Sequence, residues 1–75
     1  MNNIRRKQIN EMAERLSGIK DMLDELQREE EDYKDNMPEN LQESERYYAT
    51  EAACEQLEEA AGLVEEAMDK LWEIE

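Results

Sequence analysis

Apolar side chains return every three or four residues along almost the whole chain, and the repeat breaks once, at the single proline. Ile9, Met12, Leu16, Ile19, Leu23, Leu26, Glu30, Tyr33 and Met37 step by 3 and 4. So do Tyr47, Thr50, Cys54, Leu57, Ala61, Val64, Met68 and Leu71. This spacing lays a stripe along one side of an α-helix. Held over several heptads, it is a coiled-coil seam, here with Glu30 and Thr50 as polar positions. The reading is one domain: helix 1 at about residues 3–35, a bend over 36–42, and helix 2 at about 43–74. Each helix is then roughly 45 Å long at about 1.5 Å per residue.

Folding at Pro38 brings the two seams together. Antiparallel pairing sets Ile9 against Leu71, Met12 against Met68, Leu16 against Val64 and Ile19 against Ala61. It also sets Leu23 against Leu57, Leu26 against Cys54 and Tyr33 against Tyr47. A single register satisfies all of these pairs. Lys20 then falls near Glu58, Arg5 near Glu75, and Arg6 within stacking reach of Trp72. The expected fold class is all-α, an antiparallel two-helix coiled-coil hairpin.

A second stripe runs beside the seam of helix 2. The segments LEEA (57–60), VEEA (64–67) and LWEI (71–74) repeat one heptad, and with Ala53 they align Ala53, Ala60, Ala67 and Ile74. Met22 and Leu63 add apolar surface outside the seam. Two helices leave an open side, so the stripe either tightens the hairpin or joins two hairpins into a four-helix bundle. A chain of 75 residues buries a modest fraction of its surface, which favours self-association. Met22, Ala53, Ala60, Leu63, Ala67 and Ile74 are the candidate homodimer residues.

The break itself, DYKDNMPENLQE over residues 32–43, has the length of a calcium-binding EF-hand loop between two helices. Such a loop needs oxygen ligands at positions 1, 3, 5, 9 and 12 and glycine at 6. Asp32, Asn36, Asn40 and Glu43 fit positions 1, 5, 9 and 12. Lys34 puts a cation at position 3, and Met37 occupies the glycine position, so no metal is expected. The stretch reads instead as a turn. Pro38 cannot continue a helix and disfavours helical geometry at Met37. Asn36 suits a helix end. Asn40 with Glu43, or Ser44, suits the next N-cap. Met37 and Leu41 are placed to fold over Tyr33 and Tyr47.

Chemistry has few carriers. There is no histidine for proton transfer near neutral pH. Cys54 lies on the seam, where a structural thiol is expected. Neighbouring acids such as Glu58/Glu59 and Glu65/Glu66 point outward by helical phase and lack the histidines of a bundle metal site. Gly18 and Gly62 stand alone inside helices, at one level of the expected hairpin, where another backbone would have room to approach. Neither catalysis nor a cofactor is expected. One cysteine, no apolar leader and no apolar run of membrane length point to a reducing, cytoplasmic setting.

Charge is unevenly spread. Residues 1–37 carry 7 basic and 10 acidic side chains, and residues 38–75 carry 2 and 12. Glu29, Glu30, Glu31 and Asp32 end helix 1, where the macrodipole favours cations. Asp35, Glu39, Glu43 and Glu45 gather at the same end. Helix 2 adds rows at Glu51, Glu58, Glu65 and at Glu59, Glu66, Glu73. A net charge of −13 repels nucleic acid and membranes and suits a basic protein surface. The candidate partner-binding acids are Glu29, Glu31, Asp32, Asp35, Glu39, Glu43, Glu58, Glu59, Glu65 and Glu66.

The segment DNMPENLQESER and the Glu-Glu-Ala repeats after it, together about residues 35–75, resemble small acidic helical proteins. Such proteins are encoded by phages and mobile elements of Gram-positive bacteria. The resemblance implies a helical hairpin and brings no catalytic residue. The hairpin is also similar in architecture to plasmid copy-control proteins that dimerise into four-helix bundles and bind RNA. The acidity here, and the shortness of the cluster Arg5, Arg6 and Lys7, argue against RNA. The expected function is non-catalytic: an inhibitor of anti-restriction or anti-CRISPR type that covers the basic, nucleic-acid-binding surface of a host protein. The alternative is a homodimeric structural or regulatory coiled-coil adaptor.

Overall fold

A computed structural model describes residues 2–74 as two long helices joined by a short bend. Helix α1 spans Asn3–Asp35, a 3-10 turn spans Glu39–Leu41, and α2 spans Glu45–Trp72. The two helices pack along their length into a rod of 60 × 13 × 13 Å. The fold is an all-α helical hairpin.

Local chemistry sets each boundary. At the start of α1 the Asn2 side chain accepts a hydrogen bond from the Arg5 amide at 2.7 Å. That satisfies one donor a helix start leaves free. At the other end Asn36 donates twice to the Asp32 carbonyl, from its backbone at 3.0 Å and its side chain at 2.8 Å. The helix therefore stops at φ −91° without a left-handed residue. Pro38 follows in extended geometry, φ −58° and ψ 148°. Of the two candidate N-caps of α2 the structure uses Ser44. Its hydroxyl accepts from the Tyr47 amide at 3.3 Å and donates to the Leu41 carbonyl.

Helix α2 covers the stripe its periodicity predicts. Thr50, Cys54 and Ala61 are buried, and Tyr47, Leu57, Val64, Met68 and Leu71 are half-buried. The Thr50 hydroxyl donates to the Arg46 carbonyl at 2.9 Å, so this polar seam residue is satisfied within its own helix.

Helix α1 is turned away from its expected orientation. Its most covered residue is Ala13, at 0% exposure. From there the covered stripe runs through Leu16, Lys20, Leu23, Gln27, Glu30 and Lys34 to Met37. Met12, Ile19, Leu26 and Tyr33, expected in the seam, are 46–48% exposed. At 3.6 residues per turn, the helix is rotated by roughly 50° from the expected seam.

The register moves with the rotation. Leu26 does not face Cys54. It borders a groove with Ala53 and Leu57, while Cys54 lies in the field of Glu30, Glu31 and Lys34. Lys20 lies with Ala61, Gly62 and Glu65. Met12, Ile19, Leu26 and Tyr33 therefore do not fill the seam opposite their expected partners. The bend is the physical reason. The chain turns directly after Met37, then spends the 3-10 turn and the cap before α2 begins. Tyr47 is half-buried at the start of α2, while Tyr33 is 48% exposed. Met37 alone closes this end, at 7% exposure, while Leu41 stays 38% exposed.

Apart from Met37 at the bend, the buried core is made of small residues. Ala13, Met37, Cys54 and Ala61 are its buried apolar members, and no large side chain among the described residues is fully buried. Small residues let the backbones approach, and the stems of Lys20 and Lys34 cover the remaining gaps with their charged ends outward. Gly18 and Gly62 do not mark a close backbone approach: a methyl group at either would meet nothing within 4 Å. The one aromatic contact among the described residues is Tyr47 edge-on to Tyr48, with centroids 5.9 Å apart, so Arg6 does not stack on Trp72. The expected Arg5–Glu75 pair lies outside the described residues.

Candidate functional site

The rotation of α1 gives the hairpin two unlike long sides, one acidic and one apolar. On the first, Lys20, Asp24 and Gln27 of α1 border a groove with Glu58, Gly62 and Glu65 of α2. Glu51 and Glu55 extend this side toward the bend. Lys20 donates to Asp24 at 3.0 Å within its own helix and does not reach Glu58. The hydrogen bond and charge of Asp24 hold the Lys20 ammonium above its ordinary pKa, with a smaller contribution from Glu65.

The predicted acids Glu31, Asp32, Asp35, Glu39, Glu43, Glu58, Glu59, Glu65 and Glu66 are all exposed. They are not one patch. Glu58 and Glu65 line the groove, Glu59 and Glu66 lie one residue round on the outer back of α2, and the others gather at the bend. Glu29 is on the opposite side, where it borders the apolar groove with Leu26, Ala53 and Leu57. Ion pairing among the described residues is confined to Lys20–Asp24 and Lys70–Glu73, and Glu31 accepts a hydrogen bond from the Gln27 side chain at 3.3 Å, so most of the acidic surface has no cation paired with it.

The second side is apolar. Met12, Ile19, Leu26 and Tyr33 form its α1 row, and Met22 beside them is 64% exposed. Leu26 meets Ala53 and Leu57 across the groove, which places this row next to the alanine stripe. Ala53 and Ala60 are half-buried, Ala67 is exposed, Ile74 is 41% exposed, and Leu63 beside them is 60% exposed. The six predicted self-association residues therefore share one side. Met12, Ile19, Leu26 and Tyr33 add four residues to that side which the heptad spacing assigns to the seam. The signal available was Ala13, a small residue at the one position where α1 can approach α2 closely.

Cys54 is a free thiol at 6% exposure. Burial first, then the field of Glu31 against that of Lys34, pushes it above the ordinary thiol value. A raised pKa makes it a poor nucleophile. Among the described residues no group of three or more His, Cys, Asp or Glu side chains converges as a metal site, and no helix is long and apolar enough to cross a membrane. Compared with protein-family models, with curated proteins and with solved structures, the chain has no match.

Proposed function

We propose that the hairpin is a non-catalytic binding protein whose acidic side occupies a basic, nucleic-acid-binding surface of a host protein. An inhibitor of anti-restriction or anti-CRISPR type, carried by a phage or mobile element, works in this way. The observation that carries the reading is the segregation of unpaired carboxylates. Glu51, half-buried, and Glu58 and Glu65, both exposed, form a row about 10 Å apart, a spacing of seven residues at about 1.5 Å each. None of the three forms an ion pair within the described residues, and the Lys20 ammonium beside Glu65 is committed to Asp24. Acids so placed lend folding no stability, and a basic partner would pair them. Docking of this kind takes its speed and much of its specificity from charge.

The test is capture of a partner from the native host, followed by affinity measurements at rising salt. Binding weakens steeply with salt, and DNA or RNA competes for the same surface. Reversal of Glu31, Asp32, Glu58 and Glu65 to Lys abolishes docking without unfolding the hairpin. Glu29 is left in place because it lies on the other side. Affinity that stays flat with salt and ignores these four changes rejects the proposal. A second reading, the structural or regulatory adaptor, draws on the exposed row Met12, Ile19, Leu26 and Tyr33. It is marked by binding that salt spares and that changes on this row remove.

A further inference from the structure

The apolar side of the hairpin is nearly free of acid in a chain that holds 22 acidic residues. The helical rows that form it contain Glu29 and four basic residues, Arg5, Arg15, Arg46 and Lys70, and Glu30 borders the same groove from the edge of the seam. A face that only needed solubility would share the acids of the rest of the surface. Here they are withheld from the side where large apolar groups are exposed, and together those groups form the kind of patch that marks an interface.

The charges on this side are also self-complementary. Arg15 and Glu29 lie seven residues to either side of Met22 in the same row, and both are exposed. Lys20 and Asp24 border one groove with Ala61 and Gly62, so Met22 and Leu63 stand at one level of the rod. They are the two most exposed large apolar residues of this side. A two-fold axis at that level, lying in the face and perpendicular to the rod, runs a second hairpin antiparallel to the first. It sets Arg15 against the partner's Glu29, and Glu29 against the partner's Arg15. It also brings Ile19 level with the partner's Leu26 and Met12 level with the partner's Tyr33.

We infer that this side is a homodimer interface, in which two hairpins form an antiparallel four-helix bundle about an axis at Met22 and Leu63. The area is sufficient. A face roughly 42 Å long, from 28 helical residues, and about 20 Å across two helices offers about 800 Å² per partner, the size of a stable interface. A basic partner is disfavoured here by the four cations. A second copy supplies the opposite charge to both Arg15 and Glu29 and turns its own acidic side outward. The inference is independent of what the acidic side meets.

Sedimentation equilibrium of the whole chain and of three variants tests it. The wild type is dimeric at high micromolar concentration. Arg15→Glu sets like charges opposite each other twice by symmetry, and weakens the dimer by about tenfold. Glu29→Arg does the same, and the double variant regains the wild-type constant. Helicity by circular dichroism is unchanged in all three, since both residues are exposed. Cysteine cross-linking gives the direction of packing. Arg15→Cys mixed with Glu29→Cys yields a covalent dimer under oxidant, whereas each alone forms no covalent dimer. A wild type that is monomeric at high micromolar concentration assigns the face to a foreign partner and overturns the proposal. So does a double variant that stays weakened, or Arg15→Cys that cross-links to itself.

Discussion

The seam between the helices and the open apolar side beside it are built from the same residue types, yet they carry different work. The seam is covered by small groups, Ala13, Cys54 and Ala61, with larger residues half-buried around them. The open side holds larger groups, Met12, Ile19, Met22, Leu26, Tyr33 and Leu63, all exposed by 46% or more. Small residues determine how close two helices come, and that distance sets which larger residues fall inside. The large groups excluded from the seam stay exposed, and in the proposed dimer the hydrophobic effect acts on them between molecules instead of within one.

The sharpest way to break this contrast is to place the same charge on each surface. Ala13→Glu puts a carboxylate with no partner into the closest point of the seam. It is expected to cost about 3 kcal/mol or more, read as a lower urea midpoint and lost helicity. Met22→Glu with Leu63→Glu places two carboxylates on the open side. The helicity of the monomer is expected to survive while the dimer disappears from sedimentation profiles. If both changes unfold the chain alike, the division into two surfaces is wrong.

A smaller effect separates the apolar side from the acidic one. Two copies at −13 each repel at long range, and salt screens that repulsion over about 10 Å at 0.1 M. Self-association is expected to tighten as salt rises from low to moderate, while docking of a basic partner weakens over the same range. Both titrations use one preparation, so opposite slopes are a direct reading of two surfaces.

Cys54 reports on the seam without a mutation. Its folded pKa is raised, so the seam favours the neutral thiol. That stability is complete below the unfolded value and is lost as pH rises through the raised one. A thiol reagent at slightly alkaline pH is expected to react slowly with the native hairpin and quickly in urea. Equal rates would mean the seam opens freely at this level.

The smallest effects come from the glycines. Gly18→Ala and Gly62→Ala meet open space, so each is expected to stabilise the fold by up to about 1 kcal/mol. A loss of stability at either would reveal a neighbour that the hairpin alone does not supply.

Much of this was legible from the chain. The heptad steps from Ile9 to Met37 and from Tyr47 to Leu71, with Pro38 between them, dictate two helices and one bend, because periodicity and the lack of a proline amide are local properties. The caps at Asn36 and Ser44 are equally local. The acids on the outer back of α2 follow from phase alone. The rotation of α1 was not legible. Its rows at Ile9, Leu16, Leu23 and at Met12, Ile19, Leu26 are both apolar, and a helix with two apolar rows can turn either inward. Ala13, Lys20, Gln27 and Lys34 read as a flank beside the seam, and nothing local promotes them.

Only tertiary structure decides that question, because the orientation depends on where the bend delivers α2. The 3-10 turn at Glu39–Leu41 and the cap at Ser44 fix where α2 starts. Ala13 and Ala61 then allow close contact, and that distance rejects Met12, Ile19, Leu26 and Tyr33 from the seam. The sequence by itself determined the elements and their charge, which arise from neighbours along the chain. Which apolar row would be left outside arises from a contact between residues far apart in it.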